Sequence, residues 1–431
     1  MTPTDQGLTP ELAGRIRDAT TALRPEWTGF LRELVRTPSQ TGDEGAVQAI
    51  VAAKLAAMGL DLDVWEPAVA DLAPHDGSFT AVDSFAGRPN VVGAWRGRGG
   101  RSLILNGHID TVEIGDPGQW RAAPLGGEIV DGRLFGRGAC DMKAGVVTNL
   151  FALAAVRRAG LAPRGDVIVE SVISEEDGGA GALAAVLRGH VADAAVITEP
   201  TARAIVAAHG GSLMFRLRVT GRSAHACVRD EGVSAIEAFA RLHAGLLTFE
   251  ARRNREIEHP LYRPIANKIP INVGTVRSGS WPSSVPEWLV AEGRAGLVPG
   301  ETLPDFQERF RAEIDRLAAE DSWLREQPPT VEWLTGQFAP SEVAVDSPIV
   351  GALAAAHAMV NGAPPAIEAA TYGADMRHFV NTGGIPCVMY GAGDVRLAHA
   401  PDESIGLDEV ERAIEAVALL IAMWCGVDDA S

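Results

Sequence analysis

The sequence predicts an α/β fold: a mostly parallel-sheet domain with helices on both faces, plus an inserted, smaller α+β domain. Three observations predict it. Short apolar runs alternate with helical periodicity from about residue 60 to residue 200, a strand–helix–strand rhythm that marks a parallel sheet. From residue 213 the order changes to β-α-β-β-α-β, which fits a ferredoxin-like unit. The 431 residues are too many for one ordinary domain and comfortable for two. The expected division is 1–212 with 336–431 for the larger domain and 213–335 for the insert.

The elements follow in order. Residues 9–36 and 44–59 carry apolar residues at helical spacing, and 60–67 alternates as a strand. The stretch 71–88 is polar and irregular and reads as a loop without assignable chemistry. Residues 90–95 and 102–106 read as strands, 116–127 as a Pro/Gly-rich connection and 142–159 as a helix. A strand over 166–173, a helix over 181–190 and a strand over 194–198 complete the first part. In the insert, strands over 213–220, 268–277, 287–294 and 329–334 surround helices over 230–250 and 304–319. A helix over 348–360, a strand over 385–390 and a closing helix over 407–424 return to the larger domain.

Composition excludes several classes. Lys+Arg of 38 against Asp+Glu of 56 gives a net charge of −18, which argues against nucleic acid or an anionic membrane as a partner. No apolar run reads as long enough to span a membrane. The four cysteines, Cys140, Cys227, Cys387 and Cys425, are far apart, so neither a disulfide framework nor a thiolate zinc site is expected. The expected location is the cytoplasm.

The chemistry stands at strand ends, where open α/β sheets bind ligands. The apolar run 103–105 leads into His108, one spacer and Asp110. In an extended segment the two point to one side, so Asp110 can brace one ring nitrogen and leave the other for a metal. Glycines precede Asp141, Glu175 and Glu176 follow the strand 166–173, Glu199 follows 194–198, and His399 follows 385–390. Two imidazoles with several carboxylates form a borderline N/O donor set that suits Zn²⁺, Co²⁺ or Mn²⁺. They are too many for one tetrahedral ion, whereas a pair ~3.5–4 Å apart would use them all. A spare carboxylate beside such a pair is a natural general base.

His108-Ile109-Asp110, the run Gly138 to Gly145, Glu175-Glu176, Thr198-Glu199-Pro200, Gly221 to Ala226 and His399 to Glu403 together resemble one metallopeptidase family. It contains acetylornithine deacetylase, succinyl-diaminopimelate desuccinylase, aminoacylase and the glutamate carboxypeptidases. The resemblance implies that His108 and Glu199 bind one metal, His399 and Glu176 the other, and that Asp141 bridges them. It implies two divalent ions, Zn²⁺ first, with Glu175 as the proton carrier and Asp110 orienting His108. It also implies a homodimer through the insert, which would act as a lid, with His225 reaching a neighbouring active site to stabilise the oxyanion. Arg294 and Asn272 resemble lid residues that hold the substrate, and Arg377 resembles an arginine that binds a substrate carboxylate. Ser284 stands where many members have asparagine, which weakens transfer of their substrate identity.

The expected function is therefore hydrolysis of the amide bond of a small N-acyl amino acid. The alternatives are a dipeptidase or carboxypeptidase of the same family and N-formyl deacylation of a heteroaromatic amine. A non-catalytic metal-binding protein is the remote rival, and no metal ligand is missing to support it.

Overall fold

Pro25 divides the first apolar-periodic stretch. A proline ring carries no N–H and clashes with the carbonyl four residues back, so the helix expected over 9–36 is two, α1 (Pro10–Ala22) and α2 (Arg24–Arg36). The computed structural model describes residues 8–73, 75 and 82–430. Part of the loop expected over 71–88 therefore lies outside the described residues. In chain order come α3 (Gly45–Ala57), β1 (Asp61–Trp65), β2 (Asn90–Trp95), β3 (Leu103–His108), α4 (Ala144–Arg158), β4 (Val167–Val172), α5 (Ala180–Arg188), β5 (Ala195–Ile197) and β6 (Ile205–His209). Then follow β7 (Gly211–Thr220), α6 (Ala235–Glu256), β8 (Ile271–Ser278), β9 (Trp288–Leu297), α7 (Leu303–Ala319) and β10 (Thr330–Trp333). The chain closes with α8 (Pro348–Asn361), β11 (Cys387–Met389) and α9 (Leu407–Cys425).

Two units emerge. The first runs through Ala207 and adds Glu342–Glu368 and the chain from Ala374; the second is Ala208–Ser341 with Ala369–Gly373. The expected division at 212/213 and 335/336 omits this last short segment, which belongs to the second unit although it lies far along the chain.

The first unit is built on a sheet in the order β1-β2-β4-β3-β5-β11-β6. Only its centre is parallel: β4–β3, β3–β5 and β5–β11. The pairs β1–β2, β2–β4 and β11–β6 are antiparallel. The expectation of a mostly parallel sheet is thus corrected to a mixed one. An antiparallel neighbour needs no crossover helix, and hydrophobic periodicity carries no strand direction. Every residue of β3 and β4 is buried, as in sheets covered on both faces. Side chains alternate accordingly. Ser171 reaches Gln48 of α3, and a side chain at Gly107, its register partner, would meet Met142 and Val146. On the opposite face Asn90 donates to the carbonyl of Gly181 in α5 at 2.7 Å. The helical stretch Ala139–Arg158 is long and apolar enough to cross a membrane, contrary to expectation, and 89% of that window is buried in the protein, which makes it a core helix.

A buried carboxyl sits in this core. Glu170 accepts from Asn106 Nδ2 at 3.0 Å, while its own Oε1 and Asn106 Oδ1 have no protein partner. Burial pushes the Glu170 pKa up to about 8. A carboxyl whose pKa is raised on folding contributes its full stability below its unfolded value and loses it as pH rises through the folded one. Glu170→Gln stays neutral throughout. We expect it to match the parent at pH 4.5 and to exceed it by about 1–3 kcal/mol at pH 8.5 in urea unfolding. Equal stability at both pH values would contradict the burial of a charge.

The second unit has an antiparallel sheet in the order β8-β9-β7-β10 with two long helices. Alternate residues of β7, Leu213, Phe215, Leu217 and Val219, pack against Phe239 and Leu242 of α6 and Phe306 and Phe310 of α7. Helix α6 starts five residues later than the expected 230, because Ser234 caps it by accepting from Glu237 N.

Candidate metal centre

All seven residues expected around the metals and the base lie in the first unit. His108 ends β3, and its Nδ1 lies 3.0 Å from the Asp110 main-chain carbonyl. A carbonyl only accepts, so a ring proton sits on Nδ1, and Nε2 is the nitrogen that can serve a metal. The Asp110 carboxylate is farther from that nitrogen, at 3.6 Å. It chiefly accepts from Thr41 Oγ1 at 2.9 Å, Glu175 N at 3.1 Å and Glu176 N at 3.2 Å. Asp110 therefore braces His108 mainly through its backbone and fixes the two glutamates with its side chain.

Asp141 follows Gly138, whose φ is +77° and where a side chain would lie 2.5 Å from Thr111 Cγ2; glycine meets both demands. Three N–H groups of this loop, from Gly138, Cys140 and Asp141, donate to the Glu403 carboxylate at 3.1, 2.8 and 3.0 Å. Glu403 is itself paired with Arg137 at 2.7 Å and is 1% exposed. It thereby joins the Asp141 loop to the segment that carries His399. His399 has φ +58°, a costly backbone state for an imidazole-bearing residue. Gly391 packs on Glu199, and a side chain there would lie 2.5 Å from its carbonyl.

The ligand atoms converge in two groups that share Asp141. His108, Asp141 and Glu199 lie within 4.8 Å of one another, and so do Asp141, Glu176 and His399. His108 Nε2 is 3.1 Å from Asp141 Oδ1 and 3.8 Å from Glu199 Oε1. His399 Nε2 is 3.1 Å from Glu176 Oε1 and 3.5 Å from Asp141 Oδ2. The two Asp141 oxygens thus face different groups. Burial pushes the carboxyls of Glu175, Glu176 and Glu199 up. Burial also works on Asp141, but His108 and His399 hold it below the usual carboxylate range. Asp141 and Glu176 raise the His399 imidazole to about 10. So many acids packed together are short of positive charge. Two imidazoles and three carboxylates without a thiolate suit two borderline divalent ions, and the donor set fits them.

The sequence model of Peptidase family M20/M25/M40 matches residues 104–423. This chain belongs to that family. Among its relatives is the N-formyl-4-amino-5-aminomethyl-2-methylpyrimidine deformylase of Bacillus subtilis, 30% identical over 90% of this chain and 91% of that protein. The acetylornithine deacetylase of Edwardsiella ictaluri is 26% identical over 93% and 98% of the two chains. A solved structure described as a dinuclear metal binding peptidase from the M20 family, from Bacillus subtilis, shares the fold with a TM-score of 0.62 at 16% identity, covering 94% and 99%. As a member of the M20/M25/M40 family with both ligand groups in place, this chain is a metal-dependent hydrolase of amide bonds.

The remaining expected site residues of this M20-family enzyme are placed as follows. Arg377 is 1% exposed, and its Nη1 and Nη2 donate to the carbonyls of Ala374 and Gly178 at 3.2 and 2.6 Å. Two of its five guanidinium hydrogens thus go to main-chain carbonyls. In the second unit, Asn272 and Arg294 are register partners across β8 and β9. Arg294 donates to Thr371 O at 3.2 Å, and burial alone lowers its pKa, with no carboxylate contributing. His225 is exposed, and its Nδ1 accepts from Cys227 N at 3.1 Å, which puts the ring proton on Nε2. Sequence reasoning gave no role to Thr41, Glu44, Arg88 or Glu403. Only Glu403 carried a signal, as the end of the motif beginning at His399.

Proposed function

We propose that this chain is a deformylase that releases formate from an N-formylated heteroaromatic amine of the aminomethylpyrimidine class. The observation that carries the reading is the likeness to the Bacillus subtilis deformylase along nearly the whole of both chains. The bonds from Arg377 to main-chain carbonyls support it, because such an amine brings no carboxylate for that residue to bind. The formyl alternative thus replaces N-acyl amino acid hydrolysis as the first choice.

His108 and Glu199 would hold one divalent ion, Glu176 and His399 the other, with Asp141 between them; Zn²⁺ is the first candidate. When bound, the ions polarise the formyl carbonyl and make a water molecule acidic. Glu175, buried and of raised pKa, takes a proton from that water as its oxygen adds to the formyl carbon. Glu175 then delivers the proton to the amine nitrogen as the C–N bond breaks, leaving formate and the free amine. Asp110 holds Glu175 at the required place through its N–H. In a homodimer, His225 of the partner subunit would present its Nε2–H to the developing oxyanion. Arg294 and Asn272 would donate to the substrate beside it.

The test is turnover by metal-stripped protein reloaded with Zn²⁺, Co²⁺ or Mn²⁺. The panel holds an N-formyl aminomethylpyrimidine, its N-acetyl counterpart, N-acetylornithine, N-succinyl-diaminopimelate and dipeptides. We expect kcat/KM for the formyl compound to exceed that for its acetyl counterpart by about 10–200-fold, the selectivity one added methyl group allows. Preference for an N-acyl amino acid or a dipeptide would reject the reading.

A further inference from the structure

The loop that carries Glu175 begins at a residue gripped by buried charges. Ser174 has φ +60°, in the left-handed region that serine enters only when its surroundings impose it. Its Oγ accepts from Arg88 Nη2. The same guanidinium is bidentate on Glu44, with Nε to Oε2 at 2.6 Å and Nη2 to Oε1 at 2.7 Å. The Arg88 and Glu44 side chains are 8% and 0% exposed. Glu44 stands at the start of α3 and Arg88 just before β2, so the pair fastens two elements to the first residue of the loop. Asn90, two residues on, holds the loop's ends: its Oδ1 accepts from Ile173 N at 3.2 Å and its Nδ2 donates to Gly181 O.

A buried ion pair adds little net stability over well-packed apolar residues. What a bidentate pair does supply is direction, because both charges are fixed in one plane. Here the direction is toward Ser174 Oγ, one residue before the base. Neither Arg88 nor Glu44 belongs to the ligand groups.

We propose that Arg88, held by Glu44, is a positioning residue that sets Glu175 for proton transfer by fixing Ser174. The proposal rests on Glu175 being the base. A displaced base costs rate without costing substrate affinity or metal, so the effect falls on kcat.

The experiment compares kcat, KM and bound metal for Arg88→Met, Arg88→Lys, Ser174→Ala, the Arg88→Met/Ser174→Ala double variant and Glu175→Gln. The substrate is the panel compound that the metal-restored parent hydrolyses best. Arg88→Met is expected to lower kcat about 30–100-fold, with KM within about threefold and both metals retained. Lysine, a point charge that cannot span Glu44 and Ser174 together, should restore only part of the loss. Ser174→Ala should lower kcat about 10-fold, and the double variant should be no worse than Arg88→Met, since both remove one linkage. A folded Arg88→Met protein with parental kcat, or losses that multiply in the double variant, would overturn the proposal. Should Arg88→Met not fold, Ser174→Ala decides alone, because it leaves the ion pair intact; unchanged kcat there overturns the proposal. Full activity in Glu175→Gln would instead overturn the assignment of the base, and the positioning role with it.

Discussion

Glu175→Gln is expected to lose about 10²–10⁴-fold in kcat while keeping both metal ions, because glutamine fills the same space and cannot carry a proton. The side chain is buried and its carboxyl is pushed up by that burial, so a neutral amide costs the fold nothing that the acid did not already cost. Its N–H still donates to Asp110, which leaves the loop where it was. Steady-state rates together with metal content by elemental analysis separate the outcomes. Loss of rate with loss of metal would assign Glu175 to the ligands instead. Retained rate would remove it from proton transfer altogether.

The second large effect is expected at Asp141. Its two oxygens face different ligand groups, at 3.1 Å from His108 and 3.5 Å from His399. Asp141→Ala should therefore empty both positions on dialysis and reduce activity to background, whereas His399→Ala should empty only one. The alanine variant also removes the one carboxylate common to both groups, so added metal should rescue it poorly. Two ions retained by folded Asp141→Ala would show that the carboxylate is not shared.

How much of this was legible in the sequence depends on distance along the chain. His108, Glu199 and His399 could be picked out because each follows an apolar run that reads as a strand, and strand ends of one sheet meet in space, while Asp141 stood out by the glycines before it. Their convergence into two groups is the structural counterpart of that rule. Thr41, Glu44 and Arg88 could not be picked out. Thr41 and Arg88 lie in polar stretches with no periodicity, Glu44 merely opens a periodic one, and the meaning of all three comes only from partners such as Asp110 and Ser174. Arg377 differs again: its residue type advertises carboxylate binding, whereas its bonds to the carbonyls of Ala374 and Gly178 are announced by no local pattern. The antiparallel flank at β2 was hidden for a third reason: a strand buried on both faces looks the same whichever way it runs.

The three N–H bonds from the Asp141 loop to Glu403 also bear on the order in which this centre can form during synthesis. Four ligands, His108, Asp141, Glu176 and Glu199, leave the ribosome long before His399 and Glu403, and translation proceeds at about 5–20 residues per second. For that interval the loop bearing Asp141 lacks the acceptor that shapes it, and the second group lacks its imidazole. The second group is thus completed last, after all three ligands of the first have emerged.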